Sequence, residues 1–312
     1  MSFLPAISVI IPTYNAPKLL EKTLLSLSVQ SYTNTVEIIV VDDGSSTFEP
    51  DGWKDLCHPL KLCVVRLPTN RGRASARNAG IKHSQGELLV FLDGDMTVAQ
   101  GFLKAHAEMA TQKPISVGIG NIRFSSAVRS DAMTRYMESR GVGQNRQKEV
   151  PFKCFVTGNS SLPRSLLVKA GCFDENFTAY GGEDLELGFR LNSLGAKFFA
   201  VEKAISFHGH VRTLQDTCNL MYTYGHRSVP VLLSKHPELK KLLRLDFLDD
   251  RPVSLKRCFF QFALSPKVYK IIEKLVILGL QRRIPAIFFD YLWWFNRTRG
   301  LLDAEQTQKK IA

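Results

Sequence analysis

The sequence has no C-x-x-C pair: its six cysteines, Cys57, Cys63, Cys154, Cys172, Cys218 and Cys258, are scattered along 312 residues. A chain this long can bury a core without disulfide staples. The cysteines therefore read as core fillers of a reducing, cytoplasmic protein. Long apolar runs are missing as well. The most hydrophobic late stretch, 271–295, is broken by Lys274, Arg282, Arg283 and Asp290, so it falls short of the roughly 18 uninterrupted apolar residues of a spanning helix. The opening "MSFLPAISVIIPTYN" carries no basic n-region and no small-residue cleavage site, so no signal peptide is expected. Repeats and low-complexity segments are absent. After the first apolar run there is neither a G-x-G-x-x-G fingerprint nor a lysine-bearing glycine loop, which argues against a dinucleotide site and against a nucleotidyltransferase.

What is present begins with charge. The net charge of +12 is uneven: from Thr213 onward there are 17 Lys and Arg against nine Asp and Glu, which is +8 of the total. Such an excess suits nucleic acid, a membrane surface or an anionic substrate. Nucleic acid would need a continuous basic face with stacking aromatics, and the reading is that none is bound. Near the C-terminus, Phe288, Phe289, Tyr291, Trp293, Trp294 and Phe295 mix with Lys and Arg. This is the composition of an interfacial helix on an anionic membrane, and equally of an aromatic stripe that completes a core or a dimer contact.

Apolar periodicity sets the architecture. "ISVII" (7–11), "VEIIVVDDGS", "LKLCVVRL" (60–67) and "ELLVFLDGD" are short apolar runs, the first stopped by Pro12, and they suit buried parallel strands. Between them, Leu19, Leu20, Thr23, Leu24 and Leu27 recur at helical spacing, "RASARNAGIKHSQG" reads as a helix capped by Gly86, and 102–111 as another. Strand–helix alternation predicts an α/β protein with a mostly parallel central sheet and ligands at the carboxyl ends of the strands. Regular alternation fades near Ile115, a helix is expected near 131–139, and after about Arg212 the reading is helical with breaks at Pro230, Pro237, Pro252, Pro266 and Pro285. Three segments result: 1–114 and 115–212 as two halves of one α/β domain, then 213–312 as a basic, aromatic-rich helical extension.

Five clusters could carry chemistry. Asp93-Gly94-Asp95 ends the fourth strand; it is either good turn chemistry or a hard-cation site completed by substrate phosphates. Asp42-Asp43-Gly44-Ser45 ends the second, again a turn or a carboxylate for a base N–H or ribose hydroxyl. Arg71, Arg73 and Arg77 surround a helix start, where a diphosphate would be held unless they form a solvated basic face. Gly181-Gly182-Glu183-Asp184 opens a helix with Leu187, Leu191 and Leu194 on one face; the acids either complement the macrodipole or meet a ligand. In "SFHGHVR", His208 or His210 could add an imidazole to a metal at Asp95.

Taken in order, "SVIIPTYN", "VVDDGS", "NRGRASARNAG", "FLDGDM", "GGEDLELGFRL" and "FHGH" make the chain resemble the family 2 glycosyltransferases of the GT-A fold over roughly residues 7–210. The resemblance implies a Rossmann-like GT-A domain, a nucleotide-sugar donor that is most often a UDP-sugar, a divalent Mn²⁺ or Mg²⁺, and transfer with inversion. It implies that Pro12 and Tyr14 line the nucleoside pocket, that Asp43 meets the base, and that Asp93 holds the ribose or helps hold the metal. It further implies that Asp95 coordinates the metal, joined by His208 more than His210, and that Asp184 is the catalytic base supported by Glu183. Processive relatives carry membrane spans and a Q-x-x-R-W signature that this sequence lacks, so one or few additions to a saccharide or lipid-linked acceptor are expected. The expected location is the cytoplasm, with peripheral contact at the inner membrane face, and self-association is left open. The alternatives are a sugar nucleotidyltransferase and a non-catalytic nucleotide-sugar-binding module, the latter disfavoured by the intact acids.

Overall fold

The computed structural model describes residues 4–48, 50–142, 148–249 and 255–311. The chain divides into two compact units, the first made of residues 1–128, 138–178 and 183–211, the second of 129–137, 179–182 and 212–312.

The first unit is built on one eight-stranded sheet. Its strands are β1 (Ile7–Thr13), β2 (Val36–Asp42), β3 (Lys61–Arg66), β4 (Leu88–Leu92), β5 (Met96–Val98), β6 (Ser116–Phe124), β7 (Asn159–Pro163) and β8 (Lys197–His208), in the order β3-β2-β1-β4-β7-β6-β8-β5. The first four are parallel, as their unbroken apolar runs predict, and β2 and β4 are buried along their whole length. Beyond β4 the sheet turns mixed: β7 is antiparallel to both β4 and β6, β8 is parallel to β6, and β5 is antiparallel to β8. The boundary drawn at 114 in the sequence therefore falls inside one continuous sheet.

The helices of this unit are α1 (Pro17–Ser28), α2 (Trp53–Cys57), α3 (Arg73–His83), α4 (Phe102–Gln112), α6 (Arg164–Lys169) and α7 (Glu183–Ser193), while α5 (Ala132–Arg140) belongs for its larger part, residues 132–137, to the second unit. Two local expectations are corrected. Helix α3 ends at His83, not at Gly86, because Ser84 leaves the helical conformation and its hydroxyl bonds back to the Ile81 carbonyl. Gly86 instead lies against β1, where a Cβ would come within 2.5 Å of the Ser8 nitrogen. Leu194 is exposed rather than on the buried face of α7, which Leu187 and Leu191 fill.

The second unit is helical, with α8 (Leu214–Thr223), a π-helical turn at Tyr224–Ser228, α9 (Val229–Lys235), α10 (Leu239–Leu242), α11 (Leu255–Ala263), α12 (Pro266–Gly279) and α13 (Ala286–Ile311). Pro266 sits in the first turn of α12, where a missing N–H costs nothing, whereas the break expected at Pro230 does not occur: helical backbone runs on from α8 through the π-helical turn into α9, and Pro230 follows directly on that turn; Pro252 lies outside the described residues. Gly225 and Gly300 let α13 touch the π turn and α8 backbone to backbone, since a Cβ at Gly225 would meet the Arg297 carbonyl at 1.9 Å and one at Gly300 the Tyr222 carbonyl at 2.2 Å. The C-terminal aromatics serve this packing. Phe289, Trp294 and Phe295 are buried, Phe289 stacks on Tyr136 at 4.8 Å, and Phe295 stacks on Tyr269 at 4.4 Å. Of the two readings of that stripe, the structure gives the core-completing one.

Candidate active site

The parallel register sets the exits of β1 and β2 side by side, Thr13 opposite Asp42. β4 lies on the other flank of β1, so the loops after all three strands share one edge of the sheet. Gly94, between the two acids, lies against the end of β1: a Cβ there would be 3.1 Å from the Pro12 carbonyl, and its own carbonyl accepts the Thr23 hydroxyl at 3.1 Å. The D-G-D spacing is thus what lets one acid stand on each side of a backbone contact.

At the β2 exit the acids serve the protein itself. Asp42 accepts from both the amide and the hydroxyl of Ser45 and faces Arg66 at 3.5 Å. Asp43 accepts the Arg71 amide at 2.8 Å on one oxygen and the Gly72 amide at 2.9 Å on the other, which fixes the approach to α3. Burial raises the Asp43 carboxyl above its ordinary value, against the pull of these two amides. Each oxygen keeps a second lone pair for a ligand. The neighbouring loop is tied down too, because the Asn15 amide donates to Ser45 Oγ at 2.8 Å and the Ser46 amide to Asn15 Oδ1 at 2.9 Å. Tyr14 stands half exposed beside it, with Pro12 partly buried.

Arg77, on α3, organises the other acids. Its side chain is 2% exposed, and its guanidinium reaches Glu183 Oε1 at 3.1 Å, Asp93 Oδ1 at 3.3 Å and Asp184 Oδ1 at 3.9 Å. Three carboxylates from β4 and α7 are thereby held on one buried cation. The fork of Arg77, read in the sequence as facing a diphosphate, meets these carboxylates in the structure. Arg71 is exposed and pairs with Glu175 at 3.0 Å.

Two of the acids sharing Arg77, Asp93 and Asp184, are shifted in opposite directions. Burial alone would raise Asp93, but the charges of Arg77, Arg73 and His208 overcome it and hold the carboxyl below its usual range. Asp184 is pushed up to about 6, first by burial and then by the adjacent Glu183 charge, with Arg77 and Thr157 opposing. Thr157 donates its hydroxyl to Asp184 Oδ1 at 2.8 Å and its amide to Oδ2 at 3.1 Å, which orients the carboxylate. Glu183 is buried, and its Oε2 has no hydrogen-bond partner. Thr157 lies in a stretch whose sequence gave no functional signal, since a single threonine in a loop has no periodicity or spacing to mark it.

Whether this edge suits a divalent cation is answered by Asp95. Its Oδ1 is buried without a hydrogen-bond partner, while His208 Nδ1 stands 3.9 Å from that oxygen and His210 Nε2 3.7 Å from Oδ2, beyond hydrogen-bonding range. Carboxylate oxygen and imidazole nitrogen are donors that Mn²⁺ accepts. Asp93, by contrast, is bonded to Arg77. Among the described residues no three His, Cys, Asp or Glu side chains converge into a complete metal cage, so a cation here would need oxygens from a bound phosphate. Within those terms Asp95 with His208 or His210 offers donors of the kind such a cation takes.

Beneath this edge runs a buried network that the sequence did not announce. His106 on α4 contacts Ser161 Oγ at 2.8 Å and Asn159 Oδ1 at 3.0 Å, and the Asn159 amide nitrogen donates to the Ala204 carbonyl and Ser206 Oγ, both at 2.9 Å. Gly120 makes room, because a Cβ there would lie 2.0 Å from Asn159 Oδ1. Burial lowers His106 to about 4, so it stays neutral.

Comparison with known proteins gives a consistent picture. The model of "Glycosyl transferase family 2" matches residues 8–171, and that of the "N-terminal domain of galactosyltransferase" matches 142–214. Validoxylamine A glucosyltransferase from Streptomyces hygroscopicus subsp. jinggangensis is 31% identical over 76% of this chain and 63% of its own length. Chondroitin synthase from Escherichia coli is 27% identical over 65% of this chain and 34% of its own. The chain spans less than two thirds of the length of these curated relatives. Among solved structures, mannosyltransferase PcManGT from Pyrobaculum calidifontis, in complex with GDP-Man and Mn²⁺, superposes with a TM-score of 0.60 at 20% identity, covering 97% of this chain and 87% of that one. S. aureus TarS 1-349 in complex with UDP-GlcNAc gives 0.57 at 18% identity, covering 98% and 92%. At these identities the superpositions establish the fold.

Proposed function

The chain belongs to glycosyl transferase family 2, and from that membership we propose that it transfers a sugar from a nucleotide-sugar donor, a UDP-sugar in the first instance, to a hydroxyl of a saccharide or lipid-linked saccharide acceptor. The observation that carries this reading is the Arg77 cluster, in which Glu183, Asp184 and Asp93 meet one buried guanidinium and Asp184 is lifted to about 6. A base with that pKa is unprotonated at neutral pH yet basic enough to take a proton. The six free thiols agree with a reducing, cytoplasmic setting.

In the mechanism we infer, Asp184 removes the acceptor hydroxyl's proton as that oxygen attacks the anomeric carbon. Thr157 holds the base in place through its hydroxyl and amide. Glu183 keeps the base's pKa high, and Arg77 keeps both acids anchored to α3. Asp43 and Tyr14, at the β2 and β1 exits, receive the nucleoside. Asp95 with His208 or His210 would hold a divalent cation, which when bound supplies charge neutralisation for the leaving diphosphate. Because the acceptor oxygen itself attacks the anomeric carbon as the diphosphate departs, the reaction we infer is a single displacement that inverts the anomeric configuration. Supporting the donor class, two of the solved structures above carry GDP-Man and UDP-GlcNAc.

The deciding experiment is a screen of the purified full chain against UDP-, GDP- and dTDP-sugars, with and without Mn²⁺ or Mg²⁺, reading release of the nucleotide. Release from at least one donor is expected. Binding without release from any donor, in the presence of a panel of saccharide acceptors, would favour the non-catalytic binding module instead.

A further inference from the structure

Once the C-terminal aromatics are assigned to the core of the second unit, a different surface of that unit stands out. Helix α12 buries Val276 and packs Tyr269 onto Phe295, which fixes one face inward. Its outer face carries Ile271, Leu275 and Leu278, 62%, 53% and 69% exposed, at i, i+4, i+7 spacing. Lys267, Lys270 and Lys274 are also exposed and run at i, i+3, i+7. Lys267 and Lys274 each precede one of the apolar residues by four, so an aliphatic stripe lies directly beside a cationic one. On α11 the exposed Phe259 and Phe262 repeat the pattern at i, i+3. Large apolar side chains in such a row are not the isolated exposures of an ordinary surface.

Charge selects the occupant. Between 258 and 287 the basic residues are the three lysines with Arg282 and Arg283, and the one acid is Glu273, which already holds the Tyr269 hydroxyl at 2.8 Å. A second copy of the chain docking through this face would set lysines against lysines, an unfavourable match. An anionic lipid surface matches both stripes: aliphatic side chains enter the acyl boundary while lysine stems lie along it and put their ammonium groups among the headgroups. Among the described residues no helix is long and apolar enough to cross a membrane, so the contact would be lateral. We propose that the outer face of α12, extended by Phe259 and Phe262 of α11, docks the protein on an anionic membrane. This is independent of the transfer reaction and of which donor is used.

The test is sedimentation of the full chain with vesicles of phosphatidylcholine, with and without phosphatidylglycerol. Each lysine near an anionic surface is worth roughly fivefold in partitioning, so binding at least tenfold stronger to the anionic vesicles is expected, falling as salt rises. Replacing Lys267, Lys270 and Lys274 by Glu should abolish it. Replacing Ile271, Leu275 and Leu278 by Ser should weaken it at least tenfold while the thermal unfolding midpoint stays put, because these side chains are exposed. Equal sedimentation with neutral and anionic vesicles would overturn the proposal, as would wild-type binding by the serine variant, which would mean charge attraction alone. Concentration-dependent dimerisation lost in the same variants, without lipid binding, would assign the face to a second copy and overturn it as well.

Discussion

The exits of β2 and β4 look alike in sequence, each an apolar strand ending in two acids and a glycine, yet the structure uses them in opposite ways. At β2 all four carboxylate oxygens of Asp42 and Asp43 accept from the chain's own amides, hydroxyl or guanidinium. At β4, Asp93 is drawn onto Arg77 while Asp95 keeps a buried oxygen with no hydrogen bond. A carboxylate that satisfies backbone amides is a brace. One left bare in a buried position carries a desolvation cost that no group of the chain offsets.

The comparison is broken most severely by removing the cation that joins the β4 exit to α7. Arg77→Met leaves the buried Glu183 and the partly exposed Asp93 and Asp184 without their shared counter-charge, and because the Arg77–Glu183 pair is itself buried, stability measured by urea unfolding should fall by about 3–5 kcal/mol. A loss below about 1 kcal/mol would mean that the acids are solvated and the cluster is not a structural unit.

Next in size is Asp184→Asn, expected to lower turnover by about 10²- to 10⁴-fold with nucleotide affinity retained. Near-normal turnover would take Asp184 out of the base role. The same residue sets a pH signature. Its carboxyl is lifted to about 6, so the reactive unprotonated form fills as pH rises through that value, and turnover should climb on the acid side and level off above it. Thr157→Val removes the hydroxyl that favours the charged form, so the acid limb should move to higher pH; a limb that stays in place would assign it to another group.

Asp95→Ala sharpens the contrast between brace and bare oxygen. Calorimetry of UDP and GDP binding should lose the part of the affinity that depends on Mn²⁺, whereas Asp43→Ala should weaken binding equally with and without the metal. Identical behaviour of the two variants would mean that Asp43 and Asp95 play the same part. The smallest effect belongs to Arg71→Ala, whose exposed pair with Glu175 should cost less than about 1 kcal/mol of stability.

Much of this was legible in the amino-acid order. Runs of β-branched and aliphatic residues place Asp42–Asp43 and Asp93–Asp95 at strand ends, and helical spacing places Arg77 on α3 and Glu183–Asp184 at the start of α7. That Arg77 meets three acids was not legible, because a guanidinium near a helix start looks the same on paper whether its partner is a phosphate, an acid 16 residues on or a pair more than a hundred residues away. The terminal aromatics were equally ambiguous, since composition does not say which face of α13 meets the rest of the unit.

Sequence alone determined which chemical groups lie at the carboxyl edge of the sheet, because strand and helix periods are local properties of neighbouring residues. Only the tertiary structure decided what each group does. The folded chain lifts Asp184 while it depresses Asp93 on the same guanidinium, commits Asp43 to two amides, leaves Asp95 bare, and turns Trp294 inward while Leu278 stays outside. Electrostatic and solvation energies depend on separation and burial in space, and no spacing along the chain encodes those quantities.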